Sequence, residues 1–301
     1  FVGVSRATAA AQGLVALRVA ANPDEDCIAC LYAQESGIFR RLGLDVTMSP
    51  STSGSAVAAA VAGGTIDIGK SSLIGLITAH ARGVPLILIA PAAEYSSGAP
   101  NTGTIVRADS TIRTARDLSG KTVAVPSLKG QQQIATMTWI DRSGGDSSSV
   151  RFLELPQSQD LAALDAGRVD AATVTDPLFA QALATKRARL LAYTTSAVSK
   201  HFLVAAYFCT IDFARKNPDV VTHFARGIAD GARYANAHHA ETIPLIAKFT
   251  SIEPDVIASM NRVVCGITLD PRLIQPNIDA AARYKTIPAR FEAREMIYAP
   301  G

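Results

Sequence analysis

A chain of 301 residues, 48% apolar and 18% charged, can bury a substantial core in one large or two medium domains, and is too apolar to be disordered. Its formal net charge of +3 is small and scattered. The only basic groupings, Arg40-Arg41 and the loose Lys186-Arg187-Ala188-Arg189, read as solvated helix faces, which argues against a nucleic-acid partner. No apolar run approaches the roughly 18 residues that a membrane-spanning helix needs.

In chain order, residues 1–13 (FVGVSRATAAAQG) are rich in small side chains, and Ala9-Ala10-Ala11 offers an A-x-A cleavage site. They read as a signal-peptide remnant; an Ala-rich first helix is the rival reading. A strand at 17–21 leads into a polar loop at 22–26 and a helix from about Cys27 to Arg41, which Gly43 stops before a strand at 44–48. A small-residue loop at 51–55 precedes a helix at 56–62. Strand 65–69, helix 73–82 and strand 86–90 complete a β-α-β-α-β unit, whose short connections predict a parallel sheet with right-handed crossovers.

A second unit begins near Arg107. It has a short helix ending at Gly120, then strand 121–126, helix 131–142, strand 150–155, helix 159–166 and strand 169–174. The apolar run 202–209 reads as a strand returning to the first unit. Beyond it the pattern is helical, at 213–216, 219–237, 241–249, 254–264 and 271–286. The expected fold class is α/β in two hinged lobes, each a mainly parallel sheet flanked by helices, with a helical C-terminal tail. Lobe 1 is expected at 14–106 plus 206–301 and lobe 2 at 107–205, with the strands Thr104–Arg107 and Phe202–Cys209 as the hinge crossings.

The two units carry an internal echo. With Asp67 set against Asp170, AVAGGTIDIGKSS lies over ALDAGRVDAATVT: a helix end, glycine, a β-branched run with one aspartate, then small hydroxyl residues. In open α/β sheets ligands bind beyond the carboxyl ends of the strands. Two such ends in one chain predict two sheets facing one cleft. The candidate ligand groups are therefore Asp26 and Cys27; Ser53 and Ser55; Lys70, Ser71 and Ser72; Glu94 and Tyr95; Ser127, Lys129, Gly130 and Gln131; and Thr175 and Asp176. Ser53–Ser55 and Ser127–Gln131 precede helices, whose free N–H groups and dipole favour an anionic head group, with Lys70 adding charge; taken singly, any of these hydroxyls is better read as an N-cap than as a ligand contact. Asp176 and Glu94 would instead grip an amine or ring N–H, or else pair with Lys70 or a hinge arginine such as Arg107. Tyr95 and Tyr207 would stack on a planar ligand or serve as core.

The segment CIACLYAQESGIFRRLGLDVTM, followed in order by AVAAAVAGGTIDIGKSS, ARGVPLILIA, Asp117-Leu118 with Gly120–Val125, and LAALDAGRVDAATVTDP, resembles the nitrate/sulfonate/taurine-type solute-binding proteins of ABC importers over about residues 17–210. The usual small-Pro pair before Leu31-Tyr32 is replaced here by Ala29-Cys30. The resemblance implies the type II periplasmic-binding-protein fold and a monomer that closes on a small polar organic ligand (a sulfonate, carboxylate, amino-sulfonate or heterocycle). It further implies a periplasmic location and permease subunits as partners, without a cofactor. The same resemblance extends to thiamine-pyrimidine synthases and to a sulfinate desulfinase with a cleft cysteine, so the alternative is an enzyme that uses Cys27. Cys27 and Cys30 have redox spacing but no thioredoxin-like pattern around them. A disulfide, either Cys27–Cys30 or one involving Cys209 and Cys265, stands beside buried free thiols as an open alternative. The histidines at 80, 201, 223, 238 and 239 have no metal-ligand spacing, and no G-x-S-x-G, P-loop or H-E-x-x-H is present.

Overall fold

Asp67 and Asp170 do the same work in two places. Asp67 Oδ2 accepts the Arg18 backbone N–H at 2.8 Å, and Asp170 Oδ2 accepts the Thr122 N–H at 2.8 Å. Each aspartate ties the entrance of one strand to its parallel neighbour. The computed structural model, which describes residues 13–299, builds one lobe around each of these ties. The signal-remnant reading of residues 1–13 falls almost wholly outside the described residues.

The first sheet holds β1 (Val15–Ala21), β2 (Leu44–Pro50), β3 (Ile68–Ser72) and β4 (Leu86–Ser96). The second holds β5 (Thr102–Arg107), β6 (Thr122–Val125), β7 (Arg151–Glu154), β8 (Ala171–Thr175) and β9 (Ala188–Ala192). The chain then returns to the first sheet with β10 (His201–Thr210) and the short β11 (Val264–Cys265). The strand orders are β11-β4-β10-β3-β1-β2 and β7-β6-β8-β5-β9. Position by position, β2-β1-β3-β10-β4 matches β7-β6-β8-β5-β9, so the echo read in the sequence extends to the whole sheet plan.

The parallel cores are present, β2-β1-β3 in one lobe and β7-β6-β8 in the other. Antiparallel strands extend both, so the sheets are mixed rather than mainly parallel. The segments read as hinge crossings each belong to a single sheet, β5 to the second and β10 to the first. The chain passes between sheets at residues 97–101 and 193–200.

Helices α1 (Ile28–Glu35), α2 (Ile38–Arg41), α3 (Gly54–Ala62) and α4 (Leu73–Ala81) flank the first sheet. Helices α5 (Gln131–Arg142), α6 (Asp160–Asp165) and α7 (Leu178–Ala184) flank the second. The tail is α8 (Ile211–Lys216), α9 (Pro218–Ala237), α10 (His239–Thr250), α11 (Pro254–Ser259) and α12 (Pro271–Arg283). The single helix expected over 27–41 is broken by Gly37, whose φ of 72° is left-handed. The helix expected over 254–264 ends at Ser259, and the one before Gly120 is a single 3₁₀ turn, Arg116–Leu118.

Strands expected at 65–69 and 169–174 start later, for one reason. The N–H groups of Thr65 and Ile66 bond back to Ala60 O, and those of Arg168 and Val169 to Ala163 O, so each helix end claims them first. Lys70, Ser71 and Ser72 consequently lie inside β3, and Glu94 and Tyr95 lie inside the long β4. The basic group at 186–189 enters β9, an edge strand, where cations discourage further pairing, rather than a helix face.

β10 is the spine of lobe 1. Ala205, Tyr207 and Cys209 join the core on one face, with Phe224 and Ile228 of α9; Ala206 and Phe208 join the other, with Leu73, Ile77 and Ile278. α9 lies close on α1, stacking Tyr234 on Tyr32 with ring centroids 3.9 Å apart. A Cβ at Gly231 would strike the Ala29 carbonyl oxygen, so Gly231→Ala should lower stability by about 1–3 kcal/mol in urea denaturation.

In lobe 2, Asp160 at the start of α6 is 1% exposed, and neither carboxylate oxygen has a hydrogen-bond partner. Loss of hydration pushes its pKa up to about 7 from an ordinary 3.8. The folded state therefore binds the proton more tightly than the unfolded state, and stability falls as pH rises from 4 to 7. Relative to wild type, Asp160→Asn should gain about 2–4 kcal/mol across that window in paired denaturation curves. A pH-independent difference would refute the assignment. Among the described residues no helix is long and apolar enough to cross a membrane.

Candidate functional site: a cleft between the lobes

Two adjoining cavities lie between the sheets. The inner one, of 240 Å³, is walled from lobe 1 by Asp26, Ser72, Glu94, Tyr95, Val204 and Val263, and from lobe 2 by Thr102, Ser127, Gly130, Gln131, Gln132 and Thr175. Asn101 and Thr195, from the two crossing segments, complete it. The outer one, of 690 Å³, is lined by Ser53, Gly54, Ser55, Ser71, Ser72 and Gly75 on one side and by Ser127–Gly130 on the other. Ser72, Ser127 and Gly130 belong to both.

Three helices begin at this cleft. Ser53 Oγ accepts the Ala56 N–H at 3.1 Å as the cap of α3, and Ser72 Oγ accepts the Gly75 N–H at 3.3 Å as the cap of α4. α5 starts after Gly130, which has extended backbone and no side chain to cap the helix. Its first-turn N–H groups are thus open toward the cleft. Ser53 and Ser72 serve both as caps and as cavity wall.

Lys70 occupies a different place. Its side chain is 2% exposed, and its Nζ lies 2.5 Å from Asp24 Oδ1 and 3.6 Å from Asp26 Oδ2. Burial works against the ammonium, but the two carboxylates outweigh it, so Lys70 is held above the usual lysine range. Burial first, and then neighbouring Asp24, push Asp26 up to about 7 against the pull of Lys70. Next door, Glu25 pairs with Arg262, both nearly buried, and tethers the 25–27 turn to the loop before β11. Glu94 pairs with neither Lys70 nor Arg107; its partner is His201, Nε2 to Oε2 2.6 Å, at the half-exposed rim.

A chain of threonine hydroxyls backs the lobe 2 wall. Thr104, Thr136, Thr173 and Thr194 are buried and linked at 2.8–3.0 Å. Ahead of them Thr175 Oγ1 accepts from Thr102 at 3.1 Å and from the Gln132 amide at 3.3 Å. Fully paired buried hydroxyls fix β5, β8, α5 and the crossing segment to one another.

Of the residues singled out in the sequence, Asp26, Ser53, Ser55, Ser71, Ser72, Glu94, Tyr95, Ser127, Lys129, Gly130, Gln131 and Thr175 line one or both cavities. Four do not. Lys70 is sealed behind Asp24 and Asp26. Tyr207 is fully buried in the lobe 1 core. Asp176 sits two residues before α7 and is tied to its first turn, its Oδ1 accepting the Ala180 N–H at 3.1 Å. Cys27 is fully buried, its Sγ donating to Asn22 O at 3.3 Å, and burial raises its thiol well above the ordinary range. All four cysteines are buried free thiols, and none forms the disulfide that stood as an alternative. Asn101, Thr102, Gln132 and Thr195 were missed: Asn101 and Thr195 lie in the true crossings, Thr102 opens β5, and Gln132 was passed over beside Gln131.

Residues 24–242 match the family described as NMT1/THI5 like. The chain belongs to this family. Among its relatives, a putative aliphatic sulfonates-binding protein of Escherichia coli (strain K12) is 23% identical over 248 residues, 79% of this chain and 74% of that protein. A 4-amino-5-hydroxymethyl-2-methylpyrimidine phosphate synthase of Saccharomyces cerevisiae is 26% identical over 219 residues, which span 70% of this chain but only 63% of the synthase. In fold, the chain is similar to the crystal structure of the periplasmic aliphatic sulphonate binding protein of Escherichia coli, with a TM-score of 0.78 at 21% identity, covering 95% of this chain and 92% of that one.

Because the buried Lys70 balances two carboxylates that keep partial access to water, Lys70→Met should cost about 3 kcal/mol, the low end for a broken buried pair, in chemical denaturation. Unchanged stability with a selective loss of ligand affinity would place the lysine in the binding surface instead.

Proposed function

We propose that this NMT1/THI5-like chain is the solute-binding component of an ABC importer. In this reading it captures a small polar organic ligand between its lobes by hinge closure and passes it to membrane permease subunits. The observation that carries the reading is the inner cavity, to which both lobes and both crossing segments contribute wall. A ligand seated there touches Tyr95 on one side and Gln131 on the other, so binding favours the closed arrangement of the lobes. The helix starts of α3 and α5 face each other across the outer cavity and supply N–H donors for an anionic head group. Sulfonates and carboxylates are the first candidates, in keeping with the sulfonate-binding relatives. The reading includes a monomer that works in the periplasm, with residues 97–101 and 193–200 as its hinge.

The cysteine-enzyme alternative draws no support from Cys27. A nucleophilic cysteine needs an exposed, electropositive setting that lowers its pKa. Here the thiol is enclosed, raised, and beside Asp24.

Thermal-shift screening with aliphatic sulfonates, carboxylates, amines and heterocycles should raise Tm for at least one class. Small-angle scattering with that ligand should show a smaller radius of gyration. A full screen without a hit, together with a shape that no candidate changes, would refute the reading.

A further inference from the structure

Asp160 is buried in lobe 2 with nothing to answer it. Neither carboxylate oxygen accepts a hydrogen bond, whether from the first turn of α6 or from a neighbouring side chain. Burial raises its affinity for a proton, and no nearby cation counters that effect. A carboxylate kept so is costly, and the usual explanation for such a group is a bound counterpart.

There is a place for that counterpart. A cavity of 200 Å³ lies between α6 and α7, against β5 and β8. Ile105, Val174 and Ala182 are buried in its wall beside Asp160, and the exposed Ser158 and Gln181 form its rim. Val174 faces this cavity, whereas its neighbour Thr173 bonds Thr136 of α5 from the other side of the sheet. Thr175, on the same side as Thr173, lines the inner cavity of the cleft. The second sheet therefore separates this cavity from the cleft.

The wall defines what would fit. Among the described residues that line it, Asp160 alone carries a charge; the others are apolar or bear a neutral amide or hydroxyl. An apolar cavity of about 150 Å³ accepts a benzene ring, so this one has room for a ring or short chain with one polar end. Two open oxygens on one carboxylate match a planar fork of two N–H groups, which gives paired, charge-assisted hydrogen bonds.

We propose that this cavity is a second ligand site, selective for a small amidinium or guanidinium cation that carries a compact apolar group. The N–H fork meets Asp160, and the apolar end lies against Ile105 and Val174. An anionic head would meet an unpartnered carboxylate and is rejected. The site goes beyond the solute-binding reading and does not depend on it.

Isothermal titration of the full chain at pH 8 with benzamidine, and with benzamide as its uncharged isostere, tests this. Benzamidine should bind roughly tenfold tighter or better than benzamide. Asp160→Asn should bring that ratio close to one, with a melting curve that shows the variant folded. Backbone-amide NMR of the wild type locates the site without any variant. Benzamidine should shift signals within 157–161 and 178–185 and leave those of Ser72 and Tyr95 in the cleft unmoved. Equal affinities, no binding of benzamidine, a ratio that survives Asp160→Asn, or shifts confined to the cleft would each overturn the proposal. The solute-binding reading survives all four outcomes, since the broad screen and the scattering measurement judge it separately.

Discussion

A single ammonium group taken out of water sets the architecture of lobe 1 at the cleft. An isolated buried charge is far too costly to persist, so Lys70 in β3 must gather anions around it. Asp24 and Asp26 answer that need, and in doing so they pin the 22–27 turn against the carboxyl end of the sheet. Once pinned, the turn sends Asp26 to the cavity wall, Glu25 to Arg262 and Cys27 into the interior. The charged wall of the cleft thus follows from one lysine that never touches the cleft itself.

The opposite wall is built by other means. Among the described residues lobe 2 has no buried cation at the corresponding place; it relies on neutral hydroxyls in two groups, the Thr102–Thr175 pair at the cavity and the linked Thr136, Thr173, Thr104 and Thr194 behind it. Such a network directs hydrogen bonds without imposing a net charge. A ligand held here meets a charged face on one side and a neutral, directional face on the other.

Much of this plan could be read from residue order, because local spacing carries it. Helix starts at Ser53, Ser72 and Gln131, the two-lobed alternation, and the matched aspartates at 67 and 170 are all short-range signals. What escaped depends on distant partners. Asp24 is 46 residues from Lys70, so nothing near Lys70 marks it as buried, and its hydrophilic chemistry placed it wrongly in the cleft. The strand ends shifted because glycine-terminated helices claimed the next N–H groups, a contest that pattern alone does not decide. Tyr207 was judged by residue type and Asp176 by its place after a strand end, when strand pairing and a bond to the first turn of α7 settle where they lie. The crossings were misplaced because the strand read at 202–209, rightly returned to the first unit, was itself counted as the passage between lobes, whereas the chain crosses in the irregular segments before it and after β4.

The place of β10 has a consequence for how the chain is made. Lobe 2 is one continuous stretch, and all five strands of its sheet leave the ribosome in sequence. Lobe 1 is different, since β3 and β4 share no hydrogen bonds until β10, more than a hundred residues downstream of β4, slides between them. Until then the apolar faces of β3 and β4, and of α1, lack their β10 and α9 partners. The second lobe can therefore reach its native form while the first, although synthesised earlier, is still open. Closure of such distant contacts is slow, and the exposed strand edges invite aggregation. Synthesis order and completion order are thus reversed in this molecule, and nascent lobe 1 is the part that stands to gain from a chaperone.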